Sequence, residues 1–106
     1  MESINQTIIE AEVIEALRTV FDPEIPVNIY EMGLIYEVKV NEAGAVTIQL
    51  TLTSPSCPAA QSIPAEVEQK VRAIDGVTEV QIDLVWEPPW DQSKMSEAAR
   101  LQLGML

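Results

Sequence analysis

The sequence predicts a mixed α/β domain of the α+β type, in which helices and strands follow the order α-β-β-α-β-α. Apolar residues recur at every third or fourth position in two long segments and at every second position in three others. That order gives a three-stranded sheet with helices packed on its apolar face. The 106 residues, 47% hydrophobic and 22% charged, suffice for one globular core, so we expect a single domain over residues 1–106.

The first helix is predicted to begin at a capping box formed by Thr7 and Glu10, in which each side chain satisfies an amide of the first turn. It should end near Phe21, because Pro23 disfavours helical geometry at Asp22. Its predicted inward residues have helical spacing: Ile9, Val13, Leu17 and Val20.

The next two elements are predicted to be an antiparallel hairpin with one buried and one polar face, joined by a turn at 41–44. Along the first strand, Ile35 and Lys39 belong to the polar face. The predicted inward residues of that strand are Leu34, Tyr36, Val38 and Val40. Those of the second strand are Val46, Ile48, Leu50 and Leu52, which alternate with Thr47, Gln49, Thr51 and Thr53.

A second helix is predicted to follow Pro58 and to end near Ile74. Because Pro64 removes a helical hydrogen bond, we expect a kink there or a short separate first turn. A third strand then alternates, with its inward residues predicted as Val80, Ile82, Leu84 and Trp86. The tail from about Met95 to Leu103 is typical of a short helix.

Composition excludes several classes of function. The net charge is −11 and the six basic residues are scattered, which argues against nucleic acids and anionic membranes. No apolar run reaches the ~20 residues of a membrane span, so a cytoplasmic protein is expected. Without histidine, and with one cysteine, the chain offers no histidine base, catalytic triad, internal disulfide or four-thiolate site. We therefore expect no enzymatic activity.

Cys57 is the chemically distinctive residue. It lies where a strand gives way to a helix, and Pro58 suits a first helical position. Unpaired amides and the positive end of a helix dipole favour the thiolate, the form that binds metals and attacks electrophiles. The alternative is an inert buried cysteine, which is the more common fate of a lone cysteine.

Two further segments carry candidate site residues. Asp22 and Glu24 flank Pro23 and could bind a metal or accept hydrogen bonds, or could simply be solvated acids at a helix end. Trp86 and Trp90 flank a diproline and form a candidate partner-binding ledge or subunit interface. For Trp86, which continues the inward alternation, closure of the core is the favoured interpretation, whereas for Trp90 the choice between the two interpretations stays open.

Together these segments resemble the SufT-type iron–sulfur cluster assembly family. The resemblance rests on the run from Asp22 to Tyr30, Gly33–Tyr36, Thr51–Thr53 before Cys57-Pro58, and the run from Trp86 to Trp90. It implies an iron–sulfur cluster assembly domain fold, an accessory role in maturing cluster proteins, and a functional role for the residue matching Cys57. Related PaaD-type proteins of a ring-oxygenase system typically carry an additional cysteine-rich segment; this sequence has no second cysteine, which favours the SufT type.

The resemblance leads to a hypothesis of a labile iron–sulfur cluster held through Cys57. Clusters generally take four thiolates and one chain offers one, so other ligands must come from a second subunit, a carrier or client protein, small thiols, or Asp22 and Glu24. We therefore expect a homodimer. The alternatives are an adaptor that binds no cluster, a structural subunit of an oxygenase complex, and a thiol redox sensor, although no resolving cysteine supports the last.

Overall fold

The computed structural model describes residues 2–21, 26–52 and 59–104, with side chains described from Gln6 in the first helix and from Ser62 in the second. The predicted order α-β-β-α-β-α is confirmed. A short 3-10 helix, Gln92–Lys94, precedes the last α-helix. The elements are α1 Glu2–Leu17, β1 Ile35–Val40, β2 Ala45–Leu50, α2 Ala59–Arg72, β3 Glu79–Leu84 and α3 Glu97–Gln102.

The sheet has the order β1-β2-β3, so β2 is central and the other two strands form its edges. β1 runs antiparallel to β2, and β3 runs parallel to it with Ile48 opposite Ile82. α1 packs against β1 and α2, and α2 packs against β3. The predicted inward residues of α1, β2 and α2 meet in one core, whose central members are Val13, Leu17, Val46, Ile48, Leu50, Ile63, Val67 and Val71.

The predicted ends of α1 are wrong. The helix already begins at Glu2, so Thr7 lies inside it and does not cap it. Gln6 donates from Nε2 to the carbonyl of Val40 at 2.9 Å, which attaches the early turns to the edge of β1. At the other end, Thr19 bonds back to Ala16 with 3-10 spacing, and the helix tightens and stops before Phe21.

A β-bulge reverses the predicted faces at the start of β1. Ile35 lies opposite Leu50 and Glu37 lies opposite Gln49, so Tyr36 is an extra residue in the ladder. Ile35 therefore packs against the core, in contrast to its predicted place on the polar face. The Tyr36 hydroxyl instead donates to the carbonyl of Pro88 at 2.8 Å.

The remaining elements agree with their predicted positions in most respects. Pro64 lies inside α2, whose helical run is continuous from Ala59 to Arg72 without a separate first turn. The tail helix starts at the Ser96 cap, whose side chain accepts from the amide of Ala99. Among the helices in the described ranges, none is both long and apolar enough to cross a membrane.

Candidate functional site

Three connecting segments meet on the side of the sheet where its strands begin or end, as distinct from the outer strands β1 and β3. Because β2 and β3 are parallel, their carboxyl ends lie at the same edge, and the antiparallel β1 begins there. In open sheets with parallel strands, ligands bind outside the carboxyl ends of those strands. We call this region the carboxyl edge; it comprises residues 28–34 before β1, residues 51–52 after β2, and residues 85–90 after β3.

Backbone hydrogen bonds connect the pieces of the carboxyl edge. Ile29 donates to the carbonyl of Val20 at 2.8 Å, and Leu34 donates to the carbonyl of Ile29 at 3.1 Å. Thr51 donates to the carbonyl of Leu34 at 2.8 Å. These three hydrogen bonds link the end of α1 to the end of β2. The backbone that flanks residues 22–25 is therefore held beside the backbone that leads into residues 53–58.

Cys57, Asp22 and Glu24 lie outside the described residues, so we keep as predictions both their roles as ligands and the expectation that Cys57 lies close to the segment from Asp22 to Glu24. Their described neighbours differ in character. Leu52, which precedes the segment carrying Cys57, is buried, whereas Phe21, which precedes Asp22, is exposed. Within the described ranges, no three Cys, His, Asp or Glu side chains are grouped so that they could hold a metal ion.

Thr51 is a buried polar residue that the strand pattern assigned to the polar face. Thr51 is 1% exposed, and its hydroxyl donates to the carbonyl of Leu52 at a long distance of 3.5 Å. Thr51 and Leu52 are both buried, so the alternation of more and less buried residues along β2 stops beyond its end. The position of Thr51, directly before the segment that carries Cys57, could have indicated a special role. The strict alternation of the strand pattern instead assigned it to the polar face.

Trp90 anchors the segment after β3. Its indole N–H donates to the carbonyl of Met32 at 2.8 Å, and its ring packs against the core. Nearby, the amide of Ser96 donates to the carbonyl of Glu31 at 2.9 Å. Trp90, for which both interpretations stood open, is thus half-buried, with its indole bonded to the turn before β1 and packed against the core. Its assignment as a partner-binding residue stays a prediction.

Tyr36 holds the middle of the segment after β3, through the hydrogen bond from its hydroxyl to the carbonyl of Pro88. The Lys94 ammonium lies 5.3 Å from the Tyr36 ring centroid, within the range of a cation–π contact. Burial, followed by the carboxylates of Asp91 and Glu87, raises the pKa of the Tyr36 hydroxyl. Hydrogen bonds from Ser93 lower the pKa of Asp91, whose carboxylate caps the 3-10 helix.

Trp86 is the exposed aromatic residue of the carboxyl edge. β3 ends at Leu84, and the side chains of Leu84 and Trp86 are 38% and 40% exposed. The interpretation that Trp86 closes the core is therefore wrong. Trp86 lies two residues beyond the end of β3, so the strand alternation that predicted it to face inward does not apply there.

The fold and the carboxyl edge define a class of small α+β domain in which a strand-to-helix connection and an aromatic segment share one side of a three-stranded sheet. The model of the family described as iron–sulfur cluster assembly protein matches residues 10–82, and the chain belongs to that family. The resemblance noted from the sequence is thus confirmed. The chain also superimposes on the crystal structure of a domain of unknown function, DUF59, from Bacillus anthracis, with a TM-score of 0.89, 33% identity, and coverage of 98% and 99% of the two chains.

Curated relatives give the same family. The chain is 53% identical to an Fe-S protein maturation auxiliary factor from Porphyromonas gingivalis, over 92% of each chain. It is 36% identical to the Fe-S protein maturation auxiliary factor SufT from Staphylococcus aureus, over 81% of this chain and 98% of that one. An iron–sulfur cluster carrier protein from Synechocystis is 33% identical over 76% of this chain, which corresponds to 23% of the longer protein.

Proposed function

We propose that the protein is a non-catalytic accessory factor that helps carry iron–sulfur clusters to client proteins, with Cys57 as the cluster-contacting residue. The observation that carries the proposal is the 53% identity over 92% of both chains to a maturation auxiliary factor. The geometry supports it, because the segment carrying Cys57 follows β2 at the carboxyl edge. The occurrence of a similar region within a longer cluster carrier supports a role beside carriers.

Cys57 would act as one ligand of a cluster in transit. In the transfer step the iron–Sγ bond to Cys57 breaks as a bond from iron to a client thiolate forms, and Cys57 takes up the proton that the client thiol releases. Ligand number, charge and iron oxidation state are unchanged, so no oxidant or reductant is required. The cluster is cargo in this scheme, and its other ligands come from the carrier, from the client or from a second subunit.

The partner-facing residues we assign are Trp86, whose ring is exposed, and Trp90, which holds the segment in place. Asp22 and Glu24 remain candidate oxygen ligands in addition to Cys57. The homodimer and the cytoplasmic location also stay predictions. Sedimentation at high protein concentration, with and without cluster, tests the first; a species that is monomeric under both conditions contradicts it.

The decisive test is Cys57→Ser, which keeps the side-chain volume and removes the soft thiolate ligand. We expect a stability change within about 1 kcal/mol. Iron and sulfide per chain should fall after anaerobic purification. In cells lacking the protein, the variant should fail to restore cluster-dependent enzyme activities at unchanged client abundance.

A matched control keeps one thiol per chain and moves it. Ser62 is exposed on α2, so the double variant Cys57→Ser/Ser62→Cys preserves thiol content away from the native position. Failure of this double variant alongside Cys57→Ser assigns the function to the position of the thiol. Full restoration by Cys57→Ser alone would overturn the role of Cys57 and favour an adaptor that binds no cluster.

A further inference from the structure

β3 presents an open edge. Its register with β2 is regular from Glu79 to Leu84, and the amide of Val85 donates to the carbonyl of Leu50 at 2.9 Å. Because successive residues of a strand point their backbone groups to opposite sides, the N–H and C=O groups of Leu84 point away from β2. By the same alternation, so do those of Val80 and Ile82. Outside the ladder, no hydrogen bond in the described part of the chain uses these groups.

The opposite edge of the sheet is protected, which makes the open edge of β3 distinctive. β1 carries the bulge at Tyr36, and Gln6 from α1 occupies the outward carbonyl of Val40. Lys39 is exposed on β1 as well. Bulges, covering side chains and edge lysines are the usual means by which proteins prevent a further strand from adding. None of these three features is present along β3 between Glu79 and Leu84.

An apolar pair extends this open edge. Val80 is buried on the helix-covered face, so Leu84, four positions later, belongs to the same face. Trp86 follows two positions further, and both Leu84 and Trp86 are more than one-third exposed. A strand added beside β3 would place alternate side chains against Leu84 and Trp86, which would be covered by apolar groups of that strand.

The charge along this region has one sign. From residue 73 to residue 93 the sequence contains no lysine or arginine, and acids recur at every fourth position. Those acids are Asp75, Glu79, Asp83, Glu87 and Asp91. The four ion pairs found in the described ranges join other carboxylates to Arg18, Lys39, Lys70 and Arg72. Within the described part of the chain, no ion pair joins Glu79, Asp83 or Glu87 to a basic side chain, and Asp83 accepts one hydrogen bond, from the neutral amide of Gln81 at 3.0 Å.

We propose that the β3 edge, defined as Glu79–Leu84 with Trp86, binds an extended basic segment of a partner protein as an additional strand. Basic side chains would lie against Glu79 and Asp83 on the open face, and apolar ones against Leu84 and Trp86 on the other face. A second copy of this chain is disfavoured, because two acidic edges would repel. The inference rests on the proposed function only in that a delivery factor must contact a partner; it does not involve Cys57.

The probe is a labelled nine-residue peptide in which lysine and valine alternate, measured by fluorescence anisotropy on the full chain. We expect Glu79→Lys/Asp83→Lys to weaken binding by at least about tenfold, because the lysines of the peptide would then face lysines of β3 in place of carboxylates. The matched control Glu10→Lys/Glu12→Lys makes the same change in net charge on the exposed face of α1 and should weaken binding less than about twofold. Trp86→Ala should weaken it by about tenfold.

Two further peptides test the geometry of binding. A peptide with alternate backbone amides methylated cannot pair with β3 and should lose binding, and a peptide with glutamate in place of lysine should not bind. Equal weakening by the two charge-reversal pairs, or equal binding of the methylated peptide, would overturn the proposal. Cys57→Ser should bind the peptide normally, so failure of the cluster role and failure of this docking edge give separate results. Circular dichroism confirms that each variant is folded.

Discussion

Trp90 and Trp86 stand at the two ends of one short proline-rich segment, and the structure fixes one and leaves the other open. Trp90 donates a hydrogen bond to the carbonyl of Met32 and packs on the core. Trp86 is 40% exposed, and no hydrogen bond within the described ranges involves its indole. The two tryptophans therefore have different roles. Trp90, the anchored end, fixes the position of the segment, and Trp86, the open end, is exposed to solvent.

The anchored end depends on a close fit between two backbone segments. Gly33, in the turn before β1, has φ +79° and packs against the carbonyl of Lys94. The neighbouring bond from the amide of Ser96 to the carbonyl of Glu31 holds the same two segments together. Within the described ranges, no comparable hydrogen bond holds the Trp86 side chain, which is 40% exposed. Variants at the anchored end should therefore change the free energy of unfolding, and variants at the open end should change partner binding.

The largest effect on stability is expected from Gly33→Ala. A Cβ atom there would overlap the Lys94 backbone, and φ is left-handed, so we expect a loss of about 2–4 kcal/mol. Gly104→Ala is the matched control, because Gly104 has φ +75° but no atom within 4 Å of an added Cβ. Urea unfolding should show for this control only the cost of the left-handed backbone, about 1 kcal/mol. Equal losses at the two glycines would mean that the close fit does not matter.

A smaller effect is expected from Trp90→Phe. Phenylalanine keeps most of the apolar ring but loses the N–H that serves the buried Met32 carbonyl, for an expected cost of about 1–2 kcal/mol. The same change at Trp86 should alter stability by less than about 0.5 kcal/mol, because the exposed indole makes no such bond. Chemical denaturation of the two variants compares the ends directly. If Trp86→Phe were as costly as Trp90→Phe, the distinction between anchored and open ends would fail.

The order of elements and most of the core could be predicted because periodicity is a local property. Val13, Ile48 and Val67 occupy the faces that their spacing indicates. Tyr36 and Trp86 were misjudged because their positions depend on distant parts of the chain. The bulge at Tyr36 accompanies a hydrogen bond to Pro88, 52 residues away.

The candidate site was predictable only in part. Alternation along β3 carries no information on where the strand ends, so Trp86, two residues beyond that end, was predicted to be inside. Thr51 was assigned to a polar face for a similar reason: the pattern does not reveal that β2 ends at Leu50 and that both residues after it are buried. The family was predictable, because its segments recur in order along the chain, and it is confirmed by the match over residues 10–82. Cys57, Asp22 and Glu24 stay predictions of residue roles.

Apart from the control variants, the smallest effect is expected from Tyr36→Phe, which tests the middle of the segment between its two ends. The variant removes an exposed hydrogen bond to the carbonyl of Pro88, for a loss of about 0.5–1 kcal/mol at neutral pH.

Burial and nearby carboxylates raise the pKa of Tyr36 in the folded state above its usual value near 10. The folded state thus favours the protonated hydroxyl, and this stabilisation is complete below the unfolded pKa and lost as pH rises through the folded one. The difference in unfolding free energy between the wild-type protein and Tyr36→Phe should therefore be constant from neutral pH to about 9 and shrink above 10. Tyr30→Phe, measured in parallel by urea unfolding, controls for loss of a phenol elsewhere; a difference that grows with pH at Tyr36 would show that the phenolate, not the phenol, is the form this segment stabilises.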